Sequence, residues 1–343
     1  MIAVKLTGPR HLELIEMEEP RPDGQNVIIM VKTCGICGSD LHYWESGLDM
    51  CGNPGLIMGH EFSGTVVDTG SRSDLKPGDR VTALPLDPCG TCAPCTDGQV
   101  NLCARGMKRS IPGNNSPGAF ARYLKLRPDM VRVLPDTVSD LEAAMIEPAS
   151  VALHAINLAV LETGDKVLIT GAGTIGLLSA AWARIGGASY TAVCEINQKR
   201  REFARELPYV DEVFDAGDPF VVSSMKKAVK GGFDIAIDTS ANDAGINTAI
   251  SALRTRGRLV LAGISMKPQS ILTLLLVVKE LEMKASLGYV PDEFDLALKS
   301  IADKILHVDT LINKTISLEE VQESFETLAS GKSSDVKAII EIP

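Results

Sequence analysis

Lys166-Val167-Leu168-Ile169-Thr170-Gly171-Ala172-Gly173-Thr174-Ile175-Gly176 is the stretch whose reading decides the fold. Its first five residues form a short apolar run of strand length, and the pattern turns helical from Thr174 to Ile185. Between them the glycines stand as G-x-G-x-x-G. The first allows a tight turn, and the second lets backbone approach a pyrophosphate. The third lets helix and strand pack closely, and the helix N-terminus faces the anionic phosphates. The next strand is read at 190–194, and Glu195 stands at its end. That is near the separation expected for an acid that accepts hydrogen bonds from a ribose 2′-hydroxyl. A carboxylate there repels a 2′-phosphate, which favours NAD over NADP. Lys199, Arg200 and Arg201 follow closely enough to pair with a 2′-phosphate, so NADP stays open.

Outward from this unit the chain keeps alternating. Residues 234–238 and 258–262 read as further strands, which implies βαβ units and a parallel sheet. Residues 1–150 read differently, as short β-branched runs at 27–31 and 64–67. There Pro77-Gly78-Asp79 turns the chain into a strand at Arg80. Residues 143–161 are rich in helix formers. From about Pro291 the chain adds a helix, a stretch ending at Ser317, a second helix and a last strand at 336–342. This tail is expected to return to the first domain. The fold class is therefore α/β: a mostly β catalytic domain, 1–152 completed by 291–343, and a doubly wound parallel-sheet domain, 153–290.

The length of 343 residues suits two domains. A formal charge of -10 without a basic run argues against nucleic acid as a partner. No apolar stretch is long enough to span a membrane; the run 271–278 is interrupted by Thr273 and ends at Lys279. The N-terminus lacks the apolar stretch of an export signal, so a cytoplasmic, reducing location is expected.

Four of the eight cysteines, Cys89, Cys92, Cys95 and Cys103, stand as C-x2-C-x2-C-x7-C. Thiolates are soft ligands, and zinc takes four of them tetrahedrally with no open position, so this zinc is structural. A different set lies upstream: Cys37 in Cys34-Gly35-Ile36-Cys37-Gly38-Ser39-Asp40, and the pair His60-Glu61 after Gly59. Three protein ligands leave one position for water or substrate, as a catalytic zinc needs. Glu147, before Pro148, is a further ligand candidate, alternating with substrate or holding a water. Ser39 can take the proton of a bound alcohol and pass it through the cofactor ribose to His42, histidine being the side chain suited to proton relay. Cys34, Cys51 and Cys194 read as buried small hydrophobes, and His154 as a satisfied core residue.

With these motifs in hand, the chain resembles the zinc-dependent medium-chain dehydrogenase/reductases along essentially its whole length. Gly59-His60-Glu61, the four-cysteine lobe, Glu147-Pro148 and the turn at Gly171 come in that family's order. The segment Cys37-Gly38-Ser39-Asp40-Leu41-His42-Tyr43-Trp44 is most similar to the sorbitol (polyol) and 2,3-butanediol dehydrogenase branch. The resemblance implies a GroES-like catalytic domain beside a Rossmann domain, and two zinc ions per chain. It implies hydride transfer from a secondary alcohol (polyol, sugar alcohol or vicinal diol) to NAD, giving a ketone. Cofactor contacts would include Gly171, Gly173, Thr174, Ile175 and Gly176, then Glu195 and Arg200. The turns Gly263-Ile264-Ser265 and Leu287-Gly288-Tyr289 would complete them. Sorbitol dehydrogenases carry an arginine that orients polyol hydroxyls where Gly288 aligns, and its absence here leaves room for a bulkier or less polar substituent; Tyr43, Trp44 and Phe120 would then form an apolar wall beside a secondary carbinol. The resemblance also implies a homodimer or homotetramer. Other readings are a threonine-type amino-alcohol dehydrogenase, with Asp40 or Glu147 meeting the amine, a sugar-alcohol-phosphate dehydrogenase, or a non-catalytic nucleotide-binding protein.

Overall fold

The computed structural model describes all residues, Met1–Pro343. Contacts divide the chain into two units, Met1–Glu147 with Val290–Pro343, and Pro148–Tyr289. The division falls at Glu147/Pro148, inside the helix Ile146–Leu158, rather than at 152/153. One continuous helix crosses it, so composition carries no mark of the change.

In the second unit six parallel strands lie in the order Glu212–Asp215, Tyr190–Glu195, Lys166–Thr170, Phe233–Asp238, Leu253–Leu261, Glu282–Ala285. Counted along the chain this is 3-2-1-4-5-6, the doubly wound order of dinucleotide-binding sheets. Val167, Leu168, Ile169, Ile235, Ala236 and Ile237 are fully buried, as strands covered on both faces require. The order reverses between Lys166–Thr170 and Phe233–Asp238, so Thr170 and Asp238 end at the switch point where ligands bind in such sheets. The helix Thr174–Ile185 buries Gly176, Leu177, Leu178 and Ala180; small residues among them allow a close approach to the sheet.

The first unit is built on a seven-stranded, mostly antiparallel sheet. Its main path runs Ile312–Ile316, Lys337–Glu341, Val27–Gly35, Glu61–Asp68, Arg80–Ala83, Val131–Val133, with Tyr123–Leu126 paired to Val27–Gly35. The C-terminal strand Lys337–Glu341 thus lies directly beside Val27–Gly35. The core of this unit includes Val31, Cys34, Met58, Phe62, Phe120 and Phe325. No helix is long and apolar enough to cross a membrane.

Candidate metal and cofactor sites

Gly35 ends its strand opposite Glu61 on one side and Ile339 on the other. A Cβ there would stand 2.3 Å from Glu61 Oε2 and 2.7 Å from Lys337 Cε. The missing side chain leaves the space in which Glu61 and Lys337 meet. The chain then reaches Cys37, the N-cap of the helix Gly38–Ser46, whose backbone N–H donates to Asp40 Oδ2 at 2.9 Å. Across from it Gly59 has φ +96°, and a Cβ on it would collide with Phe120 at 2.6 Å and Cys34 Sγ at 2.7 Å. Only glycine fits that turn, and the turn delivers His60 and Glu61 to the head of the strand Glu61–Asp68.

The ligand atoms of Cys37, His60 and Glu61 lie within 4.8 Å of one another. A thiolate, an imidazole and a carboxylate converging this closely fit zinc with a coordination position to spare. His60 Nδ1 and Asp40 Oδ1 are buried without hydrogen-bond partners and face each other across 3.7 Å. A carboxylate behind a ligating imidazole fixes its orientation and tautomer. Burial pushes the Asp40 carboxyl up to about 6. Burial opposes a charge on His60, but Asp40 and Cys37 outweigh it and hold the imidazole well above its ordinary pKa. Proton and metal therefore compete for this ring, since a ligand histidine must be neutral. With its oxygens turned to Cys37 N–H and to His60, the fully buried Asp40 is not presented to a substrate amine.

Ser39 lies in the first turn of the same helix, its Oγ buried and without a protein partner. His42 follows three residues on, along one helix face. Glu147 heads the helix Ile146–Leu158 and stands outside the three-donor set, though its charge acts on His60 and Lys337.

The expected aromatic wall is corrected. Phe120 is fully buried behind Gly59 and packs edge-on against Phe325 at 6.2 Å. Trp44 is 3% exposed and packs on Phe325 at 6.0 Å. Both belong to the core because a large apolar ring gains most there. Tyr43 alone remains half-buried; its hydroxyl donates to Asn114 Oδ1 at 2.9 Å. Cys51 is exposed rather than buried, on a tight turn after Asp49, with its thiol on the Met107 carbonyl. His154 is half-buried rather than in the core.

In the cysteine lobe, Cys89, Cys92, Cys95 and Cys103 also gather within 4.8 Å. Backbone N–H groups of Cys89 and Arg105 donate to Cys103 Sγ at 3.3 and 3.4 Å. Hydrogen bonds from Thr91, backbone first and hydroxyl second, pull Cys89 down to about 5. This donor pattern favours the thiolate, the form zinc binds, at Cys89, whereas burial and the neighbouring Cys92 push Cys95 up to about 11. The short helix Ala93–Thr96 and the 3-10 turn Val100–Leu102 hold no buried residue, so the lobe has almost no apolar core of its own. Cys95→Ser is therefore expected to lower Tm by at least about 5 °C and to release one zinc; an unchanged melting curve sinks the structural role.

In the second unit each fingerprint glycine has its own reason. Gly171 has φ +101°. Gly173 would direct a Cβ into open space. A Cβ on Gly176 would stand 2.0 Å from Gly171 O. Open space over Gly173, at the N-cap of the helix Thr174–Ile185, fits a pyrophosphate lying on the backbone. Glu195 is engaged: Oε2 accepts from Ala172 N–H at 2.6 Å and Oε1 from Asn197 N–H at 2.8 Å. It ties the end of its strand to the glycine turn, with a lone pair on each oxygen to spare for hydroxyls. Arg201 is committed to Asp215 at 2.8 Å and to the Glu195 and Ile196 carbonyls. Ile264 and Leu287 are exposed, Gly288 has φ +58°, and Ser265 Oγ accepts from Gln269 Nε2 at 2.7 Å. Tyr289 is 1% exposed, so this turn would meet a cofactor through its backbone at that position and not through the ring.

Sequence reasoning missed two groups. One is Lys337, whose signal is a lone lysine in the apolar run Val336 to Ile340. The other is Asp238-Thr239-Ser240. Buried Asp238 accepts from Thr170 Oγ1 and Ser240 Oγ, both at 2.6 Å. Thr239 Oγ1 lies 3.0 Å from Thr170 O and 3.1 Å from Gly171 O and donates into that pair. These bonds clamp the glycine turn to the neighbouring strand. Thr239→Val keeps the shape and removes the donor. It is expected to raise the NADH dissociation constant about tenfold, about 1.4 kcal/mol, at unchanged zinc content, with rescue in Thr239→Ser. Equal NADH titrations of wild type and valine variant refute the clamp.

Comparison with known proteins identifies the family. Residues 23–136 match the alcohol dehydrogenase GroES-like domain and residues 174–303 the zinc-binding dehydrogenase model. A probable D-xylulose reductase A of Aspergillus terreus is 34% identical over 321 residues, covering 90% of this chain and 89% of the relative. The structure of 2R,3R-butanediol dehydrogenase from Bacillus subtilis superposes with a TM-score of 0.88 at 29% identity, covering 99% of both chains. A putative zinc-binding dehydrogenase from Sinorhizobium meliloti bound to NADP gives 0.87 at 26% identity, over 99% of this chain and 98% of that one. The chain belongs to the zinc-dependent medium-chain dehydrogenase/reductase family. It is an oxidoreductase that works with zinc and a nicotinamide dinucleotide.

Proposed function

We propose that this enzyme oxidises a secondary alcohol of the polyol or vicinal-diol class to a ketone with NAD. The observation that carries the reading is the convergence of Cys37, His60 and Glu61 within 4.8 Å, beside a helix that bears Ser39 and His42. Cys37, His60 and Glu61 would hold zinc there, which would supply Lewis acidity toward the alcohol hydroxyl, and a bound nicotinamide would supply the hydride acceptor. Ser39 Oγ, buried and unpartnered, would accept the hydroxyl proton while giving its own through the cofactor ribose to His42. Asp40 keeps the His60 ring turned, and Glu147 supplies negative charge nearby. Half-buried Tyr43, held by Asn114, lines the substrate side. The names of the relatives, a D-xylulose reductase and a butanediol dehydrogenase, support a substrate with adjacent hydroxyls. Glu195, engaged at the fingerprint turn, supports NAD over NADP. The engaged position of Asp40 speaks against the amino-alcohol alternative.

Partners are a small alcohol or ketone and a second copy of the chain. The edge strand Glu282–Ala285 is exposed throughout, and Leu274, Val277 and Val278 are 63%, 74% and 67% exposed, which supports a homodimer or a homotetramer built from it. Eight free cysteines and an acidic surface support a cytoplasmic location. The test is steady-state NAD and NADP reduction over polyols, vicinal diols, threonine, sugar-alcohol phosphates and simple secondary alcohols, with and without chelator. Chelator-sensitive NAD reduction with a diol or polyol is expected. Turnover confined to threonine or to a phosphorylated substrate would replace this reading. No turnover at all by two-zinc protein would favour a non-catalytic nucleotide binder.

A further inference from the structure

We propose that Lys337 is a positioning residue of the metal site, holding Glu61 by one carboxylate oxygen and setting the charge of the cage. The inference rests on the dehydrogenase reading above and adds a residue to it from the far end of the chain. Lys337 and Glu61 side chains are each 1% exposed and form an ion pair; the same ammonium donates to Ile36 O at 3.1 Å. A lysine is almost never buried so completely unless it is paired. The strand Lys337–Glu341 is otherwise apolar through Ile340, so the ammonium is answered from outside its strand: by contact with Glu61 and the Ile36 carbonyl, and at longer range by the charges of Cys37 and Glu147. The gap at Gly35 makes the meeting possible, since any Cβ there would overlap both partners.

The pair changes the electrostatics of the cage. Cys37 thiolate and Glu61 carboxylate alone would neutralise a divalent ion. The Lys337 ammonium would add one positive charge to that count, against the carboxylates of Asp40 behind His60 and of Glu147 nearby. In a buried site a unit charge at contact distance acts far more strongly than in water. Lys337 also engages Glu61 Oε2, so that the carboxylate would offer a metal its other oxygen. A weaker hold on the ion and a more electron-poor bound alcohol both follow. A purely structural ion pair has neither consequence, because such a pair is replaceable by apolar groups at little cost.

The test uses the full chain with cobalt(II) in place of zinc at the Cys37 site, comparing wild type, K337M and K337R. K337R is expected to keep the wild-type cobalt d–d bands. K337M is expected to shift them, to hold zinc about tenfold more tightly against a chromogenic chelator, and to lose about tenfold or more in kcat with the KM for NAD within about twofold. A K337M protein with wild-type cobalt spectrum and zinc affinity, altered only in Tm, overturns the proposal. If K337M does not fold, E61Q is compared with the E61Q/K337M double variant, which leaves no orphaned buried charge. The double variant is then expected to bind zinc about tenfold more tightly than E61Q, and equal affinities overturn the proposal. Wild-type protein that shows no cobalt–thiolate band at Cys37 refutes the dehydrogenase reading itself, and the proposal with it. The two failures are told apart in the wild type.

Discussion

Cys37→Ser is expected to lose the metal of the three-donor cage and at least about three orders of magnitude in kcat/KM, about 4 kcal/mol of barrier. Tm should stay within a few degrees of wild type. The asymmetry follows from where Cys37 sits. It is half-buried at the N-cap of Gly38–Ser46, so its side chain adds little to the core. Serine is a favoured N-cap, and the backbone bond from residue 37 to Asp40 survives the change. What goes is the thiolate, the soft anionic donor of the set; a serine hydroxyl does not ionise near neutral pH and is a poor zinc ligand. His60 and Glu61 then remain as two donors, with Glu61 still drawn to Lys337. Metal analysis should find one zinc per chain instead of two, the survivor being in the cysteine lobe. Full turnover by such a one-zinc variant would remove Cys37 from the mechanism.

How much of this was legible in the sequence depended on the range of each interaction. The glycine turn and the four-cysteine lobe are written in contiguous residues, so spacing alone displays their chemistry. The strand 166–170 and the helix Thr174–Ile185 are likewise local, and they stand in the structure with those bounds. Cys37, His60 and Glu61 were readable as candidates because each carries a short motif. Lys337 was not, because it meets Glu61 across 276 residues and has no motif of its own. Its only trace is a charge in an apolar strand, and that reads equally well as an edge lysine facing water. The aromatic wall failed for the opposite reason. Trp44 lies close in sequence to Cys37, Ser39 and His42, and Phe120 packs behind the Gly59 turn, but side-chain direction sends both rings to Phe325. Glu195 shows a third limit: its position at a strand end was readable, while its two backbone bonds depend on the neighbouring turn. Thr239 and Ser240 likewise carry no motif, and only the sheet order brings them beside Gly171.

Gly176→Ala and Gly173→Ala are expected to separate two roles that the fingerprint compresses into one pattern. A Cβ at residue 176 would stand 2.0 Å from Gly171 O and 2.8 Å from Thr239 Oγ1. The first neighbour is backbone in a turn with φ +101°, which has no rotamer to yield. The helix Thr174–Ile185 must then move off the sheet, at an overpacking cost of about 1–3 kcal/mol. For a domain of this size that lowers Tm by roughly 2–4 °C per kcal/mol. Its N-terminal amides withdraw from the phosphate position at the same time, so the NADH dissociation constant should rise at least about a hundredfold, about 2.7 kcal/mol. Residue 173 behaves differently. It has φ -83°, which alanine adopts without strain, and its Cβ would meet nothing. Gly173→Ala should therefore keep the wild-type Tm, yet weaken NADH because the methyl fills the space over the backbone that the pyrophosphate needs. Zinc content stays at two per chain in both, since neither residue touches a donor set. NADH fluorescence titration with a melting curve on each variant decides it. If Gly173→Ala binds NADH like wild type, the pyrophosphate does not lie on this turn, and the open space there must serve another ligand.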